Sequence, residues 1–405
     1  MPVGDVVFQG HIDALLDQAG ELLGYAPICD LLRECYAYRP ASSDGPTFAS
    51  AFARLMTRLF SAHGLIVMDA AGRDFHSLGA PTLRYAIEHA EELETALLDR
   101  SAELEAAGYH AQVLVKPGAS LLFLVSDVDG AQGVKNRQAL RRLPDGSWKT
   151  GSAKTAGAGK AAYSTADLLA ILDATPERLS PNAILRPVFQ DTILPTTAYI
   201  GGPSEIAYFA QSAVLYEHVL GRITPILPRL SATLIEPAIG ALMAQHEVAL
   251  PDVFTTPEAL AQRLGARAMP IEAKRRLAAA GNALDDALTA AHDYLGSLDE
   301  ALGRSAKVSA SKMRYQMDRL RRLAATFELH RQASLQKHAA ALTLHLFPGG
   351  HPQERVVAGV WFLAAWDAAH GELPEAAHAV PGAGLIAHLV EEAANQCPGH
   401  VVIRL

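Results

Sequence analysis

The residues best suited to chemistry lie in one segment, 180–211, which reads SPNAILRPVFQDTILPTTAYIGGPSEIAYFAQ. Arg186 supplies a guanidinium group, which binds a carboxylate or a phosphate through two parallel hydrogen bonds. Gln190 and Tyr208 carry polar groups that can contact ligand oxygens. Arg229, in the following PILPRLSATLIE, supplies a second guanidinium. We therefore predict a binding site for a small polar or anionic molecule.

A glycine pair, Gly201-Gly202, lies between the apolar run TTAYI and a helix that begins at Pro203. A strand, two glycines and a helix start leave backbone N–H groups free and let a ligand approach closely. Glu205 in the first turn suits the helix dipole but repels phosphate, so this corner favours an amine or sugar hydroxyls. Alternatively, Glu205 only caps its helix and Arg186 pairs with a neighbouring carboxylate for stability. Both interpretations remain open at this stage.

Two further places in the sequence hold candidate ligand contacts, four residues in all. Gln353, Glu354 and Arg355 open a predicted helix after the Gly-Gly turn of GGHPQERV, which is either a polar helix start facing a ligand or ordinary capping. Asp69 ends the apolar run LIVMD, which we predict to be a buried strand, and ligands of α/β sheets bind at such strand ends.

Several other signals do not match a functional motif. AGAGKAAYS misses the glycine spacing of a phosphate-binding loop and has Ala161 at the hydroxyl position. The histidines form no HExxH motif, and no Cys/His set has zinc spacing, so we predict no metal. Cys29, Cys35 and Cys397 have no motif partner, and we expect core thiols rather than nucleophiles.

The elements around these residues predict an α/β protein with a helical C-terminal part. Helical periodicity precedes LIVMD, and a long amphipathic helix follows from Pro81 to about Ala107. Residues 109–150 alternate short β-rich runs with Pro-Gly and Asp-Gly turns, which predicts an antiparallel insertion. Ser164 and Asp167 have the spacing of a capping box. We also predict a strand from Ala183 that contains Arg186.

From about Pro270 the chain is continuously helical, with apolar residues at heptad spacing. Two such helices, joined by the link GRSAKVSAS, predict an antiparallel hairpin. Acidic residues on the first helix and basic residues on the second predict charge pairing across the hairpin or a solvated face, in preference to an anion site. HVVIRL at the C-terminus is a predicted closing strand.

The chain length, the net charge and the number of cysteines restrict the class of protein. The 405 residues suggest two or three domains, and the net charge of −8 does not favour nucleic acid or an anionic membrane. The first residues lack the pattern of a signal peptide, and no apolar run reaches transmembrane length. With only 3 cysteines and no disulfide framework, we expect a cytoplasmic protein.

Taken together, the 180–211 segment, PILPRLSATLIE, GYHAQVLV, LFPGGHPQERV and FARLMTRLFSAHGLIVMD resemble the bacillithiol biosynthesis cysteine-adding enzyme family. The order and spacing of these blocks also match, and the resemblance covers essentially the whole chain. It implies a Rossmann-like, nucleotidyltransferase-type core over 1–238, interrupted by the insertion at 109–150, and an α-helical coiled-coil domain over 239–405.

The resemblance also implies a function. Such proteins are cysteine ligases that add cysteine to glucosaminyl malate through an amide bond, the last step in making this low-molecular-weight thiol, and they dimerise through the coiled coil. An adenine nucleotide (ATP or ADP) is the expected cofactor, with the 353–355 motif near its pocket and Asp69 as a further contact. Arg186, Gln190, Gly201, Gly202, Glu205, Tyr208 and Arg229 are then the expected substrate contacts.

One departure from the family pattern bears on activity. Family members carry a Thr-Gly-Gln-Gln turn and a His-Asp-Phe motif in an N-terminal segment; neither string occurs here, and RDFHSL at 73–78 is not equivalent. We expect the first strands of the core to be missing and an apolar sheet edge to be exposed. Two alternatives therefore stay open: an impaired homologue that acts as a dimeric binding or scaffold protein, and a different nucleotide-dependent transferase.

Overall fold

The chain folds into two compact units. The computed structural model describes residues 11–37, 47–127, 135–150, 162–370, 380–396 and 399–405. The first unit comprises residues up to 230 together with 366–399, and the second comprises 231–365 together with 400–405. Among the described residues, no helix combines the length and the apolar character needed to cross a bilayer.

Helices dominate the first unit. Its helices before residue 230 are α1 (Ile12–Leu23), α2 (Ala26–Tyr36), α3 (Phe48–Phe60), α4 (Arg73–Leu78), α5 (Ala80–Glu88), α6 (Ala90–Ala106), α7 (Thr165–Ala174), α8 (Arg186–Ile193) and α9 (Pro203–Leu220). Its strands are β1 (Ala119–Asp127), β2 (Lys135–Arg142), β3 (Trp148–Thr150), β4 (Ala162–Tyr163), β5 (Leu179–Pro181), β6 (Tyr199–Gly201) and β7 (Ile226–Pro228).

Five of these strands form one sheet in the order β4-β3-β2-β1-β5, and every neighbouring pair is antiparallel. This confirms the predicted antiparallel insertion. The sheet extends beyond it, because β5 adds to the free edge of β1. Trp148 is fully buried in the core beside this sheet, and its indole Nε1 donates to the Thr165 hydroxyl at 3.1 Å. The predicted capping box of α7 is also present: the Ser164 hydroxyl accepts from the Asp167 N–H at 3.1 Å.

The predicted strand LIVMD is wrong. Residues 65–69 form no strand with any described segment, and the side chain of Ile66 is 82% exposed. A strand needs a paired neighbour to satisfy its N–H and C=O groups, and an apolar run alone does not provide one. The long helix predicted after it is present but interrupted at His89, which separates α5 from α6.

The strand predicted from Ala183 is also wrong. The Asn182 side chain accepts hydrogen bonds from the backbone N–H groups of Ile184 and Leu185, both at 3.0 Å, and so forms a turn. Helix α8 begins directly after it at Arg186, with Pro187 in its first turn, where a missing N–H costs nothing. Arg186 is therefore at a helix start.

Strands β6 and β7 form a separate parallel pair, in which Tyr199, Ile200 and Gly201 lie opposite Ile226, Leu227 and Pro228. Helix α9 follows β6 after one residue, Gly202, as predicted from the Gly-Gly-Pro sequence. Because α9 packs against α6 and α8, the C-terminal end of β6 is fixed within the first unit.

The second unit is built from long helices. Its elements are β8 (Ser231–Ile235), α10 (Pro237–Gln245), α11 (Leu250–Val253), α12 (Pro257–Ala268), α13 (Ile271–Leu298), α14 (Glu300–Arg331), α15 (Ser334–Leu346) and α16 (Gln353–Val356). Helix α17 (Gly359–His370) begins in the second unit and ends in the first, and α18 (Ala383–Gln396) belongs to the first unit. The last strand, β9 (His400–Arg404), pairs in parallel with β8, which confirms the predicted closing strand.

Helices α13 and α14 form the predicted hairpin, but the link lies elsewhere. The turn is at Asp299, whose carboxylate caps α14 by accepting from the Leu302 N–H at 2.9 Å, and GRSAKVSAS is helical. The acidic N-cap at Asp299 sets where α14 begins, because it satisfies a backbone N–H of the first turn. The small residues of GRSAKVSAS are tolerated inside the helix. The expected charge pairing across the hairpin is confirmed by Arg314 and Asp285, whose side chains meet at 2.7 Å.

Candidate functional site

The Arg186 guanidinium is the centre of a polar cluster in the first unit. Its Nη2 donates to the Tyr208 hydroxyl at 2.6 Å, to the Tyr199 hydroxyl at 3.2 Å and to Glu205 at 3.3 Å. Its Nη1 lies 3.4 Å from the Gln190 Oε1, one turn along α8. The Arg186 side chain therefore connects the first turn of α8 to the first turn of α9. We refer to these five residues as the Arg186 cluster.

Glu205 is the anionic member of the cluster. Its carboxylate accepts from the Gly202 N–H at 2.9 Å and from the Tyr199 hydroxyl at 2.9 Å. Burial by itself would raise the pKa of Glu205, but the Gly202 and Tyr199 hydrogen bonds and the Arg186 charge outweigh it, so the pKa is lowered. The carboxylate therefore both caps α9 and pairs with Arg186, as the stability-only interpretation of the sequence expected.

Arg229 lies on the other side of the glycine pair. Its backbone N–H donates to the Gly201 carbonyl at 2.9 Å, directly after β7. A Cβ atom built on Gly202 would collide with the Arg229 guanidinium, so glycine is what allows this side chain to lie over the backbone of the corner. Arg229 is exposed and forms no ion pair with any residue that the structure describes.

Charge balance indicates what this corner can bind. Arg186 and Glu205 neutralise each other, and their side chains remain 39% and 30% exposed. Arg229 adds one uncompensated positive charge beside them. A half-buried guanidinium, a carboxylate, two phenol hydroxyls and a free cation together suit a ligand that bears a carboxylate and an amine or hydroxyl groups.

The sequence singled out all members of this corner except Tyr199. Its hydroxyl links Arg186 and Glu205, and its ring packs on Phe209 at a centroid distance of 4.6 Å. The pKa of the Tyr199 hydroxyl is raised, first by burial, so it stays protonated as a donor. The available signal was its position at a strand end, two residues before the glycine pair.

Asp191 stabilises the corner through hydrogen bonds, and it is a second residue that sequence reasoning did not identify. It is buried on α8 and accepts from the Thr196 N–H at 2.6 Å, from the Thr196 hydroxyl, from the Thr224 hydroxyl at 2.5 Å and from Arg222 at 2.7 Å. Burial would raise the pKa of Asp191, but these donors lower it. One carboxylate therefore ties the segments that lead into β6 and β7 to the helix that carries Arg186.

Of the residues predicted to contact a nucleotide, Asp69 belongs to the first unit and 353–355 belong to the second. Asp69 is in the exposed 65–69 segment, where its carboxylate accepts from the Ala71 N–H at 2.9 Å. Gln353 is only 2% exposed. Its side-chain oxygen accepts from the Leu234 N–H at 2.9 Å, and its side-chain nitrogen donates to the carbonyls of Leu234 at 2.9 Å and of His345 at 2.6 Å. Glu354 accepts from the Ser231 hydroxyl at 3.0 Å.

Among these residues, Arg355 is the one whose side chain has no partner in the described part of the chain. Gln353 thus stabilises β8, in line with the structural alternative to ligand binding that the sequence left open. Within 353–355, the Arg355 guanidinium is therefore the group free to bind a phosphate.

The two described cysteines are core residues, as predicted. Both are buried and form no disulfide. Burial raises the pKa of the Cys35 thiol, which disfavours the nucleophilic thiolate. Cys397, and residues 156–161 of the rejected AGAGK sequence, lie outside the described residues. No group of three or more metal-ligating side chains occurs within the described ranges.

The first unit combines an antiparallel sheet, a short parallel strand pair and the polar corner around Arg186, and the second unit is built from long paired helices. Residues 2–230 match the sequence model of the bacillithiol biosynthesis BshC N-terminal Rossmann-like domain, and residues 232–369 match that of the BshC C-terminal coiled-coil domain. The chain therefore belongs to the BshC family of bacillithiol biosynthesis.

Curated relatives agree with this assignment. A protein of Koribacter versatilis is 41% identical over 404 residues, which cover 100% of this chain and 69% of the relative. Proteins of Solibacter usitatus and Salinibacter ruber are 35% and 29% identical, and the chain covers 59% and 63% of their lengths. All three carry the name "Putative cysteine ligase BshC". The chain thus spans about two thirds of the length of these relatives.

Proposed function

We propose that this protein is a cysteine ligase of bacillithiol biosynthesis, which joins cysteine to glucosaminyl malate in the last step of the pathway. The family membership and the name of the relatives support the reaction class. The observation that carries the proposal is the Arg186 cluster with the unpaired Arg229 beside it. These residues offer separate partners for the carboxylates, hydroxyls and ammonium groups of the two substrates.

The proposed reaction forms one bond between the amine nitrogen of glucosaminyl malate and the carboxyl carbon of cysteine. One carboxyl oxygen and two protons of the ammonium group leave as the elements of water. Most of what the chain's own residues contribute is positioning, because a bound amine and carboxyl group held in line react far faster than free ones.

Each side chain then has a distinct part. Arg229, which has no carboxylate partner, binds a substrate carboxylate. Arg186 holds Tyr199, Tyr208 and Glu205 in a fixed arrangement and offers its exposed edge to substrate oxygens. Glu205 accepts from an ammonium or a hydroxyl group, and Gln190 and the Gly202 backbone limit where the substrate lies.

We further propose that the protein binds an adenine nucleotide, which when bound would supply an activating group for the carboxyl oxygen; this proposal rests on the family resemblance alone. Arg355 is the described residue of the predicted set that is free to contact it. Equilibrium dialysis with ATP and ADP tests this: Arg355→Gln is expected to weaken binding about tenfold. Arg276→Gln, which removes an exposed arginine of α13, is the matched control. Equal affinity of the two variants would contradict the role of Arg355.

A homodimer through the coiled coil is the proposed assembly, and the cytoplasm is the proposed compartment. One face of α14 carries exposed apolar side chains at heptad spacing, Met313, Leu320, Leu323 and Phe327, which we call the exposed α14 stripe. A two-stranded coiled coil buries a seam of this kind. The stripe is distinct from the α14 face that packs on α13, where Ala310 and Met317 are buried.

The decisive experiment is direct synthesis. Purified protein is incubated with cysteine and glucosaminyl malate, with and without ATP, and thiols are identified by mass spectrometry. We expect bacillithiol, and we expect none from Arg186→Ala, although that variant keeps its oligomeric state. Absence of product from the unaltered protein, together with a stable dimer, would instead favour the binding or scaffold alternative. The mutual pairing of Arg186 and Glu205 is what supports that alternative.

A further inference from the structure

Asp191 is a carboxylate to which the proposed reaction assigns no part, because its side chain is only 2% exposed and cannot contact a substrate. Its Oδ1 accepts from the Thr196 N–H at 2.6 Å and from the Thr196 hydroxyl. Its Oδ2 accepts from the Thr224 hydroxyl at 2.5 Å and pairs with Arg222 at 2.7 Å. The two carboxylate oxygens thus hold two different loops, one that leads into β6 and one that leads into β7.

Both arginines of the corner are connected to Asp191 through short stretches of backbone. Arg186 lies five residues earlier on the same helix, α8, which corresponds to a rise of about 7.5 Å. Thr224 precedes β7 by two residues, and Arg229 directly follows the last residue of that strand. The Arg229 N–H donates to the Gly201 carbonyl at 2.9 Å, which aligns β7 with β6. One buried carboxylate therefore connects the helix that carries Arg186 to the strand that ends beside Arg229.

The hydrogen bonds of Asp191 resist a change in the distance between α8 and β7. Bonds to an ionised carboxylate are about twice as strong as bonds between neutral groups, and a buried carboxylate that loses its donors gains no water in exchange. Thr224, only 1% exposed, also accepts from Arg222 Nη1 at 2.6 Å, so its hydroxyl is held from both sides. Asp191 is therefore a fixed spacer between the two elements.

We propose that Asp191 is a positioning residue that makes the corner selective for the spacing between two carboxylates of its ligand. This role rests on the proposed function, in which glucosaminyl malate, whose malyl group has two carboxylates, is a substrate. Arg229 binds one of them, and the exposed edge of Arg186 binds the other. Because Asp191 fixes where the two guanidinium groups lie, a ligand that is one methylene longer cannot contact both in their resting positions.

Direct binding of two free dicarboxylates tests this selectivity in the unaltered protein. Isothermal titration calorimetry is expected to show that malate binds at least about tenfold more tightly than 2-hydroxyglutarate, which has the same groups and one more methylene. Equal affinities, or no binding of malate, would overturn the proposal. Bacillithiol synthesis is measured separately: selective binding of malate without any product would contradict the ligase function and would still support the selectivity.

Asp191→Asn changes the spacer and leaves the proposed ligand contacts unaltered. The amide nitrogen cannot accept from Thr224 and Arg222, so the loop before β7 loses its anchor. We expect malate to bind about tenfold more weakly and 2-hydroxyglutarate to be little affected, which removes most of the preference. A residue that only stabilises the fold would leave the ratio of the two affinities unchanged, so an unchanged ratio in the folded variant would contradict the positioning role.

Two threonine variants separate positioning from stability, and they decide the question if Asp191→Asn does not fold. Thr224→Val removes the hydroxyl that lies between Asp191 and Arg222, and we expect it to lose the preference for malate. Thr192→Val is the matched control: it removes a hydroxyl of the same helix that bonds to the Thr82 hydroxyl at 2.7 Å and to neither loop. The control should keep the preference even where thermal unfolding shows lower stability. Equal ratios of the two affinities in both variants would overturn the proposal.

Discussion

At the scale of single residues, the two arginines of the corner differ in what surrounds them. Arg186 shares its charge with Glu205 and two tyrosine hydroxyls, whereas Arg229 has no carboxylate partner among the described residues and rests on Gly202. Removing Arg186 leaves polar groups without a donor, which costs stability. Removing Arg229 leaves nothing unsatisfied. The two residues therefore separate a structural contribution from a binding contribution.

Arg229→Gln is expected to weaken substrate binding without a change in stability. Because the side chain is exposed and unpaired, we expect the free energy of unfolding to stay within about 0.5 kcal/mol of the unaltered protein. Loss of one charge-assisted contact raises KM about tenfold with little effect on kcat. Denaturant titration and steady-state kinetics measure the two effects; a large loss of stability would contradict this view of Arg229.

Glu205→Gln is expected to remove a pH-dependent contribution to stability. The pKa of Glu205 in the folded protein is lowered from its ordinary value of 4.5, so its charged form stabilises the fold above about that pH. The contribution is lost as pH falls through the folded pKa. The difference in melting temperature between the two proteins should therefore be largest above pH 4.5 and shrink below it. A difference independent of pH would exclude the charge as its cause.

At the scale of elements, local signals predicted well, whereas strands that need a distant partner were predicted only in part. The Ser164–Asp167 box and the Gly-Gly-Pro corner depend on residues within three or four positions, so the sequence contains all that is needed. The strands predicted at residue 65 and at Ala183 are absent, because an apolar stretch becomes a strand only if a distant segment pairs with it. Tyr199 was missed for the same reason: its partners Arg186 and Glu205 come from different helices.

The turn between α13 and α14 gives a test at this scale. Asp299→Ala removes the acceptor for the Leu302 N–H, and we expect a loss of about 1 kcal/mol in the free energy of unfolding of the second unit. Ser305→Ala, in the stretch first expected to be the link, should change stability by only a few tenths of a kcal/mol. Chemical denaturation compares the two, and a larger effect at Ser305 would restore the original position of the link.

Packing of α10 on α15 should depend on pH through a histidine pair. His246 Nε2 and His338 Nδ1 are 2.8 Å apart, and burial, followed by the neighbouring His338, lowers the pKa of His246. A histidine with a lowered pKa favours the neutral state, so its contribution to stability is complete above about pH 6.5 and is lost as pH falls below it. Melting curves of His338→Gln should show a weaker loss between pH 6.5 and 5 than the unaltered protein; equal losses would contradict the pairing effect.

At the scale of the whole molecule, the exposed α14 stripe is the surface on which the proposed dimer depends. Met313, Leu320 and Phe327 are each more than half exposed and recur every seven residues, so they lie along one side of the helix. A second copy of the chain would remove this apolar side from water.

Leu320→Glu combined with Phe327→Glu is expected to yield monomers, because charges on both helices of a seam repel and cannot be buried. Val308→Glu, at another exposed apolar position of α14, is the control and should leave the dimer intact. Sedimentation equilibrium gives the mass of each. A dimer that survives the double substitution would move the interface away from the stripe.

The Asp191 carboxylate has a consequence for how this protein can vary. It holds Thr196 just before β6 and Thr224 just before β7, and those strands pair over three residues each. If β7 paired with β6 one position out of register, the Arg229 side chain would point to the opposite side of the strand pair and would no longer lie over Gly202. An insertion between Thr224 and Ile226 should thus abolish turnover while leaving the melting temperature nearly unchanged. This loop, although partly at the surface, should therefore tolerate little change in length.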